Sequence, residues 1–340
     1  MELKENKNVF IPNWDNKPIE RKPLILLNGV SILTHQNLTS IIAAPGLGKS
    51  SVCEAICSAL LNAESDSLGF ELSNEIQSIL YIDNERTMID VWNSFYRMTQ
   101  RANVSETDKV IIVGLRMVAR LTERLSTIEN LITEHSADLV LIDGAGDLVS
   151  DTNSLENATE CRIWLRELTN KYNCSILTTL HPNKGTLNPR GHIGSEVLRE
   201  SENVLAIENN NGVRTLTTDF LHGKARNGGN CQSSFKWDID KSMFVSCELV
   251  ESTKRKLTPY ERFSDAEIIA ILKKVFISGA LNKKDTHTGL MASLGVYDNI
   301  TKGRDAVSIF LTQLEQFEYI ESVKVGTSNL LNIHPRFTLV

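Results

Sequence analysis

The sequence lacks the features that mark secreted, metal-stapled and membrane-embedded chains. Its six cysteines are scattered, with no Cys-x-x-Cys pair and no His/Cys pairing at zinc spacing, which predicts buried free thiols in a reducing compartment. No apolar run approaches the length of a membrane span, and the charged stretch MELKENKNVF has no apolar core of a signal peptide. We therefore expect a cytoplasmic protein with no membrane partner.

The sequence also lacks internal repeats, low-complexity tracts and an excess of positive charge. Its net charge of −6 argues against a chain coated in nucleic acid, but it leaves room for a local basic groove. With 340 residues, 41% hydrophobic and 23% charged, the chain has the composition of an ordinary globular protein. It is long enough for one large domain and one smaller one.

Short apolar runs alternate with amphipathic, helix-like stretches through most of the chain. Each run is bounded by turn or polar residues and is too short for a buried helix, so each predicts a strand of a mainly parallel sheet. The alternation predicts a doubly wound α/β domain. The six runs are LTSIIA (38–43), SILYID (78–83), KVIIVG (109–114), DLVLID (138–143), CSILTTL (174–180) and NVLAIE (203–208).

The last part of the chain has a different pattern. Ser264 and Glu267 form a capping box ahead of an amphipathic run, two more helix-like stretches follow, and two short β-like runs surround GTSN. Three helices followed by a hairpin is the order of a small winged-helix-like domain. The predicted organisation is an amino-terminal arm (1–22), an α/β domain (23–248), a linker (249–263) and the winged-helix-like domain (264–340).

A phosphate-binding loop is predicted where the first strand meets the following helix. AAPGLGKS (43–50) matches the loop pattern except that Ala43 replaces the first glycine, and alanine suffices if its φ is negative. Lys49 would reach the β- and γ-phosphates of ATP, and the Ser50 hydroxyl would bind Mg²⁺. The predicted nucleotide-binding residues are Pro45, Gly46, Leu47, Gly48, Lys49, Ser50 and Ser51.

Two acidic strand ends complete the predicted site. Asp143 ends an apolar strand and would hold Mg²⁺ through water or accept a hydrogen bond from Ser50. In SILYIDNERT, Glu85 is the candidate for polarising the attacking water, and Asp83 is its rival for the same role. A surface acid in a loop is the alternative for Glu85.

The order APGLGKSS, ILYIDNERT, LVLIDGAGDLV, LTTLHPNKG and RGHIGSE resembles the RecA-like ATPases related to plasmid RepA helicases, especially those encoded by mobilisable elements. The resemblance covers about residues 23–248. It implies a RecA-like fold, ATP and Mg²⁺ as cofactors, and a homo-oligomer, most simply a hexamer. It also implies that His181 senses the γ-phosphate; a loop histidine without a ligand is the alternative.

A second resemblance concerns HGKARNGG (222–229), which is similar to a run near the end of DnaB-type helicase domains. There the lysine and arginine reach into the neighbouring subunit's ATP site and stabilise charge on the transferred phosphoryl group. The resemblance implies that Lys224 and Arg226 act in trans. A basic hairpin turn is the alternative.

Two regions are candidates for contact with DNA. In RecA-like hexamers the loop after the His181 strand projects into the channel, where Lys184, Arg190 and His192 would contact a nucleic-acid backbone. A structural role for RGHIGSE at the subunit interface is the alternative. In the carboxy-terminal domain, Lys302 and Arg304 enter the third helix, the one that reads DNA in helix-turn-helix folds, although winged helices also bind proteins.

The sequence therefore predicts a Mg²⁺-dependent ATPase that acts on DNA as an oligomeric helicase or translocase in replication or mobilisation of a plasmid-like element. The competing hypothesis is an ATP-switched regulator that binds DNA or a protein without translocating. A loader that assembles another machine is a third hypothesis.

Overall fold

The computed structural model describes residues 22–183, 186–218, 220, 222–226, 229–249, 263–294, 304–316, 319–326 and 328–337. Contacts divide the chain into two compact units, Met1–Val250 and Glu251–Val340. The predicted arm lies outside the described residues except for Lys22, and so does most of the predicted linker. Within the described residues, no helix is both long and apolar enough to cross a membrane.

The first unit alternates strands with helices, as the apolar runs predict. Its strands are β1 (Pro23–Leu27), β2 (Val30–Thr34), β3 (Leu38–Ile42), β4 (Phe70–Leu72), β5 (Ile79–Asp83), β6 (Val110–Gly114), β7 (Leu139–Asp143), β8 (Ser175–Leu180), β9 (Asn203–Asn210), β10 (Val213–Thr217), β11 (Lys224–Ala225), β12 (Gln232–Asp238) and β13 (Met243–Ser246). Its helices are α1 (Lys49–Leu61), α2 (Met88–Ala102), α3 (Leu121–His135), α4 (Leu155–Lys171) and α5 (Gly191–Glu200).

One large mixed sheet carries these elements. Its order is β13-β12-β10-β9-β3-β8-β7-β5-β6, with β11 paired to β9. The six strands predicted from the apolar runs are parallel to one another, and β10 to β13 extend the sheet in antiparallel fashion. A separate three-stranded sheet, β2-β1-β4, was not expected. The parallel strands bring their carboxyl ends to one edge, where ligands bind in folds of this type.

Both faces of the sheet are buried, which explains why its central strands are apolar without alternation. Ile41 and Tyr81 point into a core with side chains of α1 and α2. Their neighbours Ile42 and Ile82 point into a second core with side chains of α3, α4 and α5. The helices therefore lie on both sides of the sheet, the doubly wound arrangement that the sequence predicts.

The second unit contains α6 (Asp265–Val275), α7 (Lys283–Leu294), α8 (Arg304–Gln316), β14 (Ile320–Val325) and β15 (Ser328–Ile333). Ser264 and Glu267 make the capping box at the start of α6. The two strands form an antiparallel hairpin, and side chains from all three helices and both strands share one apolar core.

Candidate functional site

The loop between β3 and α1 has the backbone that a phosphate cradle needs. Gly46 and Gly48 have φ of 77° and 100°, in the left-handed region that favours glycine. A Cβ atom at Gly48 would also lie 3.2 Å from the ring of Phe244. Ala43 keeps a negative φ, so its methyl group causes no strain where the loop pattern usually has glycine.

Lys49 is held by the loop itself. Its Nζ donates to the carbonyl oxygen of Ala43 at 2.8 Å and lies 3.4 Å from Nδ1 of His181. Burial lowers the pKa of Lys49, although the nearby carboxylates of Asp143 and Glu85 oppose that shift. The ammonium group is therefore placed at the centre of the loop, where a bound phosphate would replace the carbonyl as its partner.

Asp143, at the end of β7, accepts three hydroxyl hydrogen bonds. Ser50 Oγ donates to its Oδ2 at 2.6 Å, Tyr81 OH donates to the same oxygen at 3.2 Å, and Thr179 Oγ1 donates to its Oδ1 at 2.6 Å. The strands β5, β7 and β8 are adjacent in the sheet, which is why Tyr81, Asp143 and Thr179 meet. These bonds fix the carboxylate beside the phosphate loop.

The pair Ser50 and Asp143 suits Mg²⁺. Mg²⁺ prefers oxygen ligands and is bound by one or two protein groups together with phosphates and water. Among the described residues, no cluster of three or more His, Cys, Asp or Glu side chains could hold a metal ion. A site that uses one hydroxyl, one carboxylate and the nucleotide agrees with both observations.

His181 connects Lys49 with Glu85. Its Nε2 lies 3.1 Å from Oε1 of Glu85, while its Nδ1 faces the ammonium of Lys49. A neutral imidazole with its proton on Nε2 satisfies both contacts, since Nδ1 then accepts. The hydrogen bond from His181 lowers the pKa of Glu85, so the carboxylate is charged at neutral pH. Glu85 is half exposed and faces the loop.

Asp83 is engaged elsewhere. Its Oδ1 accepts from the backbone N–H groups of Glu85 and Arg86 at 3.1 and 2.9 Å, and its Oδ2 pairs with Nε of Arg86. The Arg86 guanidinium also donates to the hydroxyl oxygen of Tyr81 at 2.9 Å. Desolvation raises the pKa of the buried Asp83 against the effect of Arg86. Of the two acids, Glu85 is the one free to meet a substrate.

The loop residues border two connected spaces. A pocket of about 320 Å³ is lined by the loop residues from Pro45 to Ser51 other than Leu47, by the acids Asp83, Glu85 and Asp143, and by His181 and Phe244. A larger cleft of about 1070 Å³ shares Pro45, Glu85 and His181 with that pocket and continues to Arg190. The pocket has room beside the loop, and the cleft opens on the side of Glu85.

Lys224 and Arg226 lie at the opposite end of the sheet. Lys224 pairs with Val204 and Ala225 with Asn203, at the beginning of β9, and Asn203 pairs with Thr39 at the beginning of β3. The phosphate loop follows the other end of β3, about four strand residues or roughly 13 Å away. The structure does not bring these two cations to the phosphate loop of their own chain.

The remaining predicted residues are dispersed. Arg190 precedes α5 and lines the larger cleft, whereas His192 is exposed on α5. Lys184 and Lys302 lie outside the described residues, and Arg304 begins α8. Sequence reasoning missed Tyr81, Thr179 and Arg86 as partners of the strand-end acids. The polar residues inside two otherwise apolar strands, SILYID and CSILTTL, were the available signal.

Comparisons with known proteins identify the class. A sequence model of the AAA domain family matches residues 6–186, more than half of the chain, and the chain belongs to that family. It is thus a P-loop ATPase with the α/β fold described above. No curated protein matches the chain.

Among solved structures, a KaiC-like protein from the hyperthermophilic archaeon Pyrococcus horikoshii is similar over 68% of this chain and 100% of its own, with 13% identity and a TM-score of 0.45.

Proposed function

We propose that this protein is a Mg²⁺-dependent, RecA-like ATPase that works as a homo-oligomer on DNA, as a helicase or translocase serving a plasmid or mobile element. One observation carries the proposal: Lys49, Ser50, Asp143, Glu85 and His181 meet at one edge of the sheet, while the two cations that would complete the site lie at the other end of the chain's own sheet.

The phosphate-loop end divides the work among its residues. Lys49 and the amide groups at the start of α1 hold the phosphates. Ser50 and Asp143 would hold Mg²⁺, which neutralises phosphate charge when bound. Glu85 orients the attacking water and accepts its proton, and His181 positions Glu85 and contacts the γ-phosphate. The ring of Phe244 offers an apolar surface beside the loop, against which a nucleobase can pack.

Arg226 and Lys224 act on the neighbour's site. Arg226 is exposed, and the distance from its own phosphate loop leaves a neighbouring chain as the source of an ATP phosphate for it to contact. The large cleft beside Glu85 and His181 has space for a side chain arriving from another subunit. When one subunit supplies a cation to the ATP site of its neighbour, hydrolysis depends on assembly, as a motor requires.

DNA is the proposed substrate of the motor. Arg190, His192 and Lys184 follow β8 and His181, the residue directly after that strand, so a nucleic-acid backbone bound there is linked to the residue that contacts the γ-phosphate. In the second unit, three helices and a hairpin are proposed to form a winged helix in which Lys302 and Arg304 face DNA. An ATP-switched regulator or a loader would use the same nucleotide site, but single-stranded DNA would not stimulate its ATP hydrolysis.

The test is the rate of ATP hydrolysis with and without single-stranded DNA, measured together with the mass of the particle in Mg-ATP. A motor gives stimulated turnover by an oligomer. Lys49→Ala should abolish turnover, and Lys109→Ala, at an exposed lysine, should leave it unchanged. Turnover that ignores single-stranded DNA, together with binding of duplex DNA, would favour the regulator.

A further inference from the structure

The first two turns of α2 present an apolar surface that nothing in the described residues covers. Met88 is 83% exposed, Ile89 63%, Trp92 56% and Tyr96 49%, and the indole and phenol rings stack with centroids 5.5 Å apart. Met117, 82% exposed, follows β6 beside them. We refer to these five residues as the α2 patch.

The α2 patch adjoins the nucleotide site. A groove of about 410 Å³ lies between the start of α2 and the residues after β6, and Arg86 lines both this groove and the phosphate-loop pocket. Met88 comes three residues after Glu85 in the chain. Met88 and Met117 are the patch residues that line this groove, so a partner that contacts these two residues stands at the rim of the pocket that holds the water-activating carboxylate.

The composition of the α2 patch is typical of a protein–protein interface rather than of a solvated helix face. Scattered exposed apolar residues are ordinary, but a contiguous group of them marks an interaction site. Trp, Tyr and Met are enriched at the centres of protein interfaces, and arginine accompanies them. Arg116 lines the same groove and is exposed, which supplies that fourth kind of residue.

We propose that the occupant of the α2 patch is a second copy of this chain, the copy that brings Arg226 to the phosphate loop. This inference rests on the proposed function. Arg226 reaches an ATP site only if a neighbour lies against the carboxyl edge of the sheet, and α2 starts at that edge. The patch and the β11 region are different surfaces of one chain, so the contact is heterologous, the kind that builds a ring when the rotation between copies closes, rather than a two-fold dimer.

The experiment compares Trp92→Glu with Ile277→Glu. Ile277 is 84% exposed just after α6 in the second unit, so it controls for the loss of an exposed apolar side chain. Trp92→Glu should give single chains by light scattering in Mg-ATP. It should bind a fluorescent ATP analogue within about twofold of the wild-type affinity, and its turnover per chain should fall by at least about 10²-fold. Ile277→Glu should assemble and turn over like wild type.

Hydrogen exchange of wild type keeps the proposal testable if Trp92→Glu fails to fold. Amides of residues 88–96 should become protected in Mg-ATP only above the concentration at which the particle mass rises. Protection in single chains would show another occupant, and assembly of Trp92→Glu with loss of single-stranded DNA stimulation would show a nucleic-acid surface; either result overturns the proposal. Normal assembly of Trp92→Glu does so as well and leaves the proposed function intact, whereas a wild type that never assembles contradicts the proposed function itself.

Discussion

Lys49 and Lys224 sit at opposite ends of the same sheet and have opposite surroundings. Both donate to backbone carbonyl oxygens, Lys49 to Ala43 and Lys224 to Ser201, and burial lowers the pKa of both. The carboxylates of Asp143 and Glu85 favour the charged form of Lys49. The strongest charge acting on Lys224 is the cation Arg226, which disfavours it.

The comparison distinguishes two sites: the phosphate loop, whose charged groups one chain supplies completely, and the β11 region, where the described residues of one chain leave a positive charge without an anionic ligand. At the phosphate loop, cation, carboxylates and hydroxyls already contact one another, so a nucleotide with its metal ion enters a balanced arrangement. Beside β11, the like charges of Lys224 and Arg226 are close to each other, and nearby Glu200 and Glu202 act on Lys224 in the opposite direction. An anion from outside the chain would relieve that repulsion, and the phosphate of a neighbour's ATP is the anion we propose.

The largest expected effect follows from removing the exposed cation. Arg226→Ala should bind ATP like wild type as a single chain, but its turnover in the oligomer should fall by about 10³- to 10⁵-fold, the range for trans-acting arginines in phosphoryl transfer. Steady-state rates and equilibrium binding of a labelled nucleotide measure the two quantities.

Mixing inactive variants tests whether the site is shared. A mixture of Arg226→Ala and Lys49→Ala should regain part of the activity, because some interfaces then pair an intact phosphate loop with an intact arginine. Full activity in Arg226→Ala, or turnover per chain that stays constant on dilution below the assembly concentration, would make β11 an ordinary basic turn.

Glu85 should matter for chemistry and little for binding. Glu85→Gln keeps the shape and the contact with His181 but loses the carboxylate that accepts the proton of water, so kcat should drop by about 10²-fold or more. Nucleotide affinity should change by less than about threefold. A fully active Glu85→Gln alongside an inactive Asp83→Asn would transfer the role to Asp83, against the pairing of Asp83 with Arg86.

Thr179 should tune the metal site. Its hydroxyl holds one oxygen of Asp143 at 2.6 Å and is buried. Thr179→Val keeps the shape and removes that bond, so the Mg²⁺ concentration for half-maximal turnover should rise by about tenfold, at the lower end for groups that orient metal ligands. Ser40→Ala, on the neighbouring strand with a hydrogen bond to Ser201 instead, serves as the matched control. An unchanged Mg²⁺ requirement would mean that Ser50 and Tyr81 suffice to orient Asp143.

The sequence predicts the parallel strands and the loop because their signals are local. Local patterns predict their conformation without information from distant residues: the six apolar runs, the two glycines of the loop and the Lys-Ser pair. The contacts of Tyr81, Thr179 and Arg86 depend on which strands become neighbours, and the order β5-β7-β8 cannot be read from periodicity. In the β2-β1-β4 sheet, β4 pairs with β1 from about 45 residues away, which periodicity cannot show, whereas β1 and β2 form a local hairpin across Asn28 and Gly29, for which the Asn-Gly pair was an available signal.

The smallest predicted effect is a shift along the pH axis that distinguishes the two lysines. Burial lowers the pKa of both lysines; nearby acids oppose that shift at Lys49, whereas the cation Arg226 adds to it at Lys224. If Lys224 acts on a neighbour's phosphate, wild-type kcat/KM should decline on the alkaline side below the ordinary lysine pKa of 10.5. Lys224→Arg should move that decline to higher pH, since arginine stays charged above pH 12.

The unfolding free energy provides a check on Lys224→Arg, because stability and activity should change in opposite directions as the pH rises. The folded-state pKa of Lys224 is lowered, so the unfolded chain binds more protons between the folded and unfolded pKa values, and this lysine makes wild type more stable as pH rises through that window. Activity lost there is therefore not caused by unfolding at this residue. Rates for Lys224→Arg and wild type should agree within about threefold near pH 7.5 and diverge only at alkaline pH. If the kcat/KM profiles of wild type and Lys224→Arg were identical at alkaline pH, Lys49 would be the lysine that loses its proton first. The carboxylates of Asp143 and Glu85 would then do less to keep Lys49 charged than the contrast with Lys224 implies.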